Sequence, residues 1–355
     1  MLSILVSIHS FSQSSQLQFN FQPVKLKDSE ISSKELMALL QDSRGFIWIG
    51  TKAGINVFDG YTYTVYKQNS KDSLSLGGDY IKSLMEDNLH RIIVNTNNTV
   101  DVFHPETGKF SHVSANMDGT IIPNSTFAVH ALQSRDGTIY FTSEDELFIY
   151  DPETEIATEL DVLKKEGFEA RLSEYVNYTE DLHGTLWIPC RRKITGYNKE
   201  SQKTYYIDLE DNPFFEGDQI SSIYLQSPGK LGFFTNTHHY VYDVNAKILQ
   251  EENCYNLPSS FTGYNQLIKI FQDNHNMVWF TNSLESTILL FDPAMMSFND
   301  YPIFDETGRG FGQVRDILQD KQGIWWLATS HDGLYFSYPD NLNTFKHILS
   351  NTNNL

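Results

Sequence analysis

The sequence predicts an all-β chain folded as a seven-bladed β-propeller of four-stranded antiparallel blades. Two observations predict it: a strand-turn-strand signature recurs seven times at a spacing of 45 to 47 residues, and the copies share large apolar positions. The first copy reads Gln41-Asp42-Ser43-Arg44-Gly45-Phe46-Ile47-Trp48-Ile49-Gly50-Thr51, and its equivalents begin at Glu86, Gln133, Glu180, Gln226, Gln272 and Gln319. The next position is Asp42, Asp87, Ser134, Asp181, Ser227, Asp273 or Asp320, residues that open tight turns. Three residues further on stand Gly45, His90, Gly137, Gly184, Lys230, Asn276 and Gly323, mostly types that tolerate the left-handed backbone of a hairpin turn.

Six residues after each turn opener comes a large apolar side chain, Trp48, Ile93, Tyr140, Trp187, Phe233, Trp279 or Trp326, aligned without a gap and expected between blades. A small or polar residue follows three later, and an aromatic before a second turn closes the third strand, as in Phe58-Asp59-Gly60. Period-two alternation gives four short strands per repeat. One such unit cannot bury both faces, so neighbours stack, and radial stacking protects every edge.

The blade cores are expected to begin near residues 36, 81, 127, 175, 220, 267 and 314, within a propeller spanning 13–349. The alternating segment 17–23 has no hairpin partner and is expected to complete the last blade as its outer strand. Residues 343–348 read as a further outer strand. Residues 1–12 form a short apolar run ending in small residues, the pattern of a signal peptide without its basic start. Residues 350–355 resemble the loop after blade 1, so they are expected to lead into a following repeat or domain.

The 355 residues include 26 Lys and Arg against 45 Asp and Glu, a net charge of −19 that repels phosphate backbones and argues against nucleic acid as a partner. Cys190 and Cys254 have no metal-ligand spacing around them and read as structural thiols. The 11 histidines show no paired zinc spacing, and no phosphate loop or nucleophile elbow is present, so neither metal nor cofactor is expected. The repeated Gln/Glu-Asp pairs read as turn chemistry, since acid–base catalysis needs unlike partners at one place.

Recognition is expected on the turns between second and third strands, on the face that also carries the blade-to-blade connections. Blade 4 departs most from the pattern there, with Arg191-Arg192-Lys193 in an acidic chain. Lys52, Arg191, Arg192, His238, His239 and His331 are the candidate ligand contacts, the planar arginine donors suiting an acidic sugar or a neighbouring domain. A solvated or ion-paired cluster is the alternative. The innermost strands offer Met37, Lys82, Ala128, Val176, Ser221, Ile268 and Arg315, a set in which only Lys82 and Arg315 are charged. That composition argues against a propeller enzyme such as a lyase or glycoside hydrolase. A docking or dimerisation propeller without its own small ligand is the other reading.

The segment from Leu40 to Thr51, followed by Gly54-Ile55-Asn56-Val57-Phe58-Asp59-Gly60, resembles the two-component-regulator propeller repeat. Residues 318–329, with Asp332-Gly333-Leu334, resemble it again, and the seven copies cover roughly residues 36 to 349. The second, fifth and sixth lack the turn glycine at its usual position. The resemblance implies the N-terminal periplasmic sensor of a Bacteroidetes-type hybrid two-component system, anchored in the inner membrane and dimeric. A further propeller, a β-sandwich, a membrane helix, a histidine kinase, a receiver and a DNA-binding domain would follow. It also implies detection of oligosaccharides from complex polysaccharides, and control of genes for glycan use.

Overall fold

The computed structural model describes residues 21–338 except 26–29, 124–129, 144–145, 163, 166–167, 170–177, 191, 211, 213–214, 216–218, 236–237, 250–254, 257–266, 273–276, 283–286, 306 and 312. The expected signal peptide, most of the segment 17–23, the strand expected at 343–348 and the expected linker at 350–355 lie outside the described residues. So do Arg191, Cys254, Ala128 and Val176.

The described residues form seven antiparallel blades and no helix. Blade 1 runs outward through Leu36–Gln41, Ile47–Thr51, Gly54–Phe58 and Tyr63–Tyr66, and blades 2 to 6 repeat that order. In blade 7, Val314–Gln319, Trp325–Thr329 and Leu334–Ser337 are joined by Gln22–Pro23 from the start of the chain, so the outer strand comes from the N-terminal side. Blade 3 carries an extension that the repeat pattern does not contain. Ser114–Met117 pairs parallel with its outer strand Ile156–Leu160, and Thr120–Ile122 pairs with Ser114–Met117.

The turn chemistry follows from the Gln/Glu-Asp pairs. In blade 1 the Phe46 amide donates to Asp42 Oδ1 at 2.9 Å, and Trp48 Nε1 donates to Asp42 Oδ2 at 3.0 Å. Blade 4 repeats this with Thr185 N and Trp187 Nε1 on Asp181, and blade 7 with Ile324 N and Trp326 Nε1 on Asp320. Blade 2 has Ile93 instead of tryptophan, and there Arg91 Nε fills Asp87 Oδ2 at 2.8 Å. Gln41 ties two blades: its Oε1 accepts Lys321 N of blade 7 at 2.7 Å, and its Nε2 donates to Gly45 O. Glu180 does the same for blades 3 and 4, accepting Arg135 N at 2.8 Å. A carboxamide or carboxylate is therefore needed wherever the preceding blade offers that amide.

The core consists of clusters between successive blades, because alternate residues of each second strand enter opposite interfaces. Trp48 packs with Ile92, Val94 and Phe103 of blade 2, while Ile47 and Ile49 pack with Trp326 of blade 7. Blades 6 and 7 meet through Trp279, Leu290, Ile317 and Trp325. Ile93 and Tyr140 face blades 3 and 4, and Trp187 faces blade 5.

Blade 5 corrects the gapless alignment. Its first turn is one residue shorter, with the left-handed conformation at Gly229 (φ 78°) rather than at Lys230, which begins the next strand. Because side chains alternate, that single deletion puts Phe233 on the blade 4 side and Phe234 on the blade 6 side. The place of the inter-blade tryptophan falls to Gly232, and the Tyr224 ring lies over it so closely that a Cβ there would meet ring atoms at 2.2 Å.

Candidate functional site

Backbone hydrogen bonds show which loops share a face. Lys52 N donates to Glu35 O, Gly54 N to Asp79 O, Asn97 N to Tyr80 O and Ser330 N to Gln313 O. Each joins a turn after a second strand to the segment just before an inner strand, so these turns and the blade connections form one face around the channel mouth.

The inner strands carry a β-bulge near that face in five blades. The pairing slips between Leu36 and Ala38, Ile81 and Ser83, Ile220 and Ser222, Leu267 and Lys269, and Val314 and Asp316. The extra residues are Met37, Lys82, Ser221, Ile268 and Arg315, five of the innermost positions the repeat singled out. A bulge frees its residue from the ladder and re-aims the side chain. The sequence contained these residues but no sign of the bulge, which is visible only as pairing.

Two candidates, Lys52 and His331, gather in the sector of blades 7 and 1, beside the inner-strand residue Arg315. Lys52 forms an ion pair with Glu35 across the turn of blade 1. The Glu35 carboxyl is held below its ordinary range, first by the hydrogen bond from Lys52; desolvation opposes this, and the charges of Lys52, His331 and Arg315 add to it. His331 is exposed and its Nδ1 lies 2.7 Å from Ser330 Oγ. Arg315 has its Nε shielded from solvent with no hydrogen-bond partner among the described residues.

The other candidates lie apart from this sector. Arg192 stacks over the Phe215 ring at 5.4 Å and donates to Glu210 O at 3.4 Å. Lys193 beside it is buried and pairs with Asp208 at 3.2 Å. The cations of blade 4 thus serve local packing at two of their three positions. His238 and His239 begin the third strand of blade 5 rather than sitting in its loop. His239 is fully buried, and its Nε2 lies 2.7 Å from the Tyr224 hydroxyl. It is a core side chain and not a surface contact, a consequence of the one-residue shift in blade 5.

Burial pushes the His239 imidazole down to about 3, so it is neutral in the folded chain. An unfolded histidine protonates near 6.5, so this stabilisation is present above that pH and is lost as pH falls toward 3. At pH 4.5 the loss should reach about 2–3 kcal/mol. His112 acts oppositely: its hydrogen bond to Asp101 leads in raising it, and its contribution is lost as pH rises through that raised value. Urea melts between neutral and mildly acid pH check this. His239→Gln should flatten the acid limb, and an unchanged slope would refute the assignment.

Two other groups of polar side chains lie outside this sector. His104 Nε2 lies 2.8 Å from Ser111 Oγ, but Ser111 donates to Glu155 Oε1 at 2.8 Å, so its proton is already committed to a tie between blades 2 and 3. A cleft of about 140 Å³ lies between blades 4 and 5, lined by Asp181, His183, Lys230 and Asn245, among the turns that follow inner and third strands. Among the described residues no group of three or more His, Cys, Asp or Glu is placed to hold a metal ion.

Comparison with known proteins bears on the repeat and the fold. The two-component-regulator propeller family matches residues 30–53. A segment of 46 residues is 39% identical to Histidine kinase P4 of Formosa agariphila, covering 13% of this chain and 3% of that protein. The extracellular domain of a hybrid two-component system from B. thetaiotaomicron superposes with a TM-score of 0.67 at 19% identity, over 90% of this chain and 42% of that one. Virginiamycin B lyase from Staphylococcus aureus superposes at 0.63 with 13% identity, over 90% of this chain and 99% of that one. At these identities the superpositions speak for fold alone, and the chain spans under half of the two-component extracellular domain. The chain is a seven-bladed β-propeller in which residues 30–53, leading into blade 1 and through its second strand, match the two-component-regulator propeller family.

Proposed function

We propose that this chain is the ligand-recognition propeller of an extracytoplasmic sensor in a hybrid two-component receptor. The observation that carries the proposal is the two-component-regulator repeat in a ring whose fold is shared with extracellular domains of such systems. Its ligand is an oligosaccharide from a complex polysaccharide, contacted at the channel mouth on the face of Lys52 and His331. The kinase output would control genes for glycan use, and the following propeller and β-sandwich of the same receptor would complete the periplasmic assembly as a dimer. The bulges supply the physical support: they place unlike side chains around one mouth, whereas the turns elsewhere repeat.

A docking propeller without a ligand is the second reading, favoured by the exposed outermost strand Thr120–Ile122 with Ile121 55% exposed. An unpaired strand edge invites another chain. Calorimetry against a panel of plant, algal and host-type oligosaccharides separates the two. Heat of binding without release of new reducing ends or unsaturated products supports the sensor. Turnover would make it an enzyme, and silence from both this chain and the intact receptor would leave docking.

A further inference from the structure

The chain is strongly acidic, yet one sector of the channel mouth brings several basic side chains together. Arg315 and Lys82 occupy the inner-strand bulges of blades 7 and 2, on either side of Met37 in blade 1. Lys52 and His331 stand on the second-to-third-strand turns of blades 1 and 7, and all but Lys82 act on the single carboxylate Glu35. The nearby acids are engaged. Glu35 is taken by Lys52, Asp316 accepts the backbone amides of Leu39 and Ile317 at 2.8 and 2.7 Å, and Asp332 pairs with Arg309 at 3.6 Å. Lys82 is exposed and shows no hydrogen bond or ion pair among the described residues.

Arg315 is the informative member. Its Nε–H is removed from solvent and meets no acceptor among the described residues, an arrangement that costs free energy until an acceptor arrives. The blade itself does not require a cation there, since the same bulge holds Met37 in blade 1 and Ser221 in blade 5. A guanidinium offers parallel donors that match the two oxygens of a carboxylate or a sulfate. Resting on the sensing role proposed above, we propose that Arg315 binds an anionic group of the ligand, a carboxylate or a sulfate ester. Lys82, on the equivalent bulge of blade 2, supplies a second positive charge at the same mouth. The site selects acidic over neutral saccharides.

The test is calorimetry on the full chain with a galacturonic acid trisaccharide, a sulfated galactose trisaccharide and the neutral galactose trisaccharide. Inorganic sulfate serves as the probe without sugar. The acidic probes should bind and weaken with added salt, and the neutral one should bind far more weakly. Arg315→Gln should lower affinity for the acidic probes about ten- to a hundredfold, the range for a lost charge-assisted pair, with melting unchanged. Arg315→Lys should restore part of it, since the charge remains and the fork is lost. Preference between uronate and sulfate tells which anion the site takes. Acidic and neutral probes binding alike, with Arg315→Gln silent, would overturn the anion site and leave the sensing role standing. Absence of binding by every acidic probe at millimolar concentration would overturn it as well, whereas the sensing role falls only with the wider panel.

Discussion

Trp187→Ala is expected to destabilise the ring by about 3–5 kcal/mol, the cost of a large-to-small change in a packed core. Three contacts underlie the size. The indole is only 2% exposed and joins Ile194, Ile220 and Phe233 in the interface of blades 4 and 5. It covers Gly196 so closely that an added Cβ would meet ring atoms at 2.6 Å, so no side chain on the neighbouring strand can fill the space left behind. Its Nε1 also donates to Asp181 Oδ2 at 2.9 Å, and the truncation leaves that oxygen without its donor. Trp187→Phe keeps part of the apolar area and loses both the donor and the second ring, so a smaller cost of about 2–3 kcal/mol is expected. Urea unfolding of both variants, compared with wild type, measures the two costs. A loss below about 1 kcal/mol for the alanine variant would mean that the interface reorganises around the gap, against the close packing described above.

The repeat made the blades legible because the residues that define it do physical work in each copy. Asp42, Asp181 and Asp320 need a donor six residues on, and tryptophan supplies it; where Ile93 cannot, Arg91 does. A pattern of that kind survives in sequence because each member constrains another. In blade 5 the converse holds, and the register is hidden in the sequence. Phe233 and Phe234 are both aromatic, so a one-residue shortening of the turn left no mark on composition, yet it exchanged the two faces of a strand. The burial of His239 follows from the same slip. The extension of blade 3 through Ser114–Met117 pairs in parallel, a choice set by tertiary contact and not by any local turn signal. The candidate site was legible in part. Lys52 and His331 were marked by their loops, while Arg315 and Lys82 were seen only as charges in an inner strand, since a bulge is a relation between two strands. The cations of blade 4 stood out by composition, but their partners Asp208, Glu210 and Phe215 come later in the chain and neutralise their surface role.

Closure of the ring should depend on a few residues near the start of the chain. Gln22 and Pro23 pair with Phe336 and Tyr335, and Val24 N donates to Leu334 O at 2.9 Å. Pro23 suits an outermost strand, where a missing N–H on the solvent side costs no ladder bond. Phe21 is the anchor: fully buried, it meets Phe311 edge-on at 6.0 Å within the cluster shared by blades 6 and 7. This closure joins residues more than 300 positions apart, so the packing of Phe21 must offset the entropy of closing a long loop. Phe21→Ala should therefore cost about 3–5 kcal/mol by loss of a buried aromatic. Removing the chain through Val24 should do more, because Leu334–Ser337 then presents an unpaired edge beside Phe311 and Tyr335. Thermal melting with light scattering should show an earlier transition and concentration-dependent association for the deletion, and an earlier transition alone for the point variant. Phe21→Leu, which retains most of the apolar volume, should recover the greater part of the stability. A deletion variant that melts at the wild-type temperature and stays monomeric would show that the ring holds without this strand, and the role given to Phe21 would be wrong.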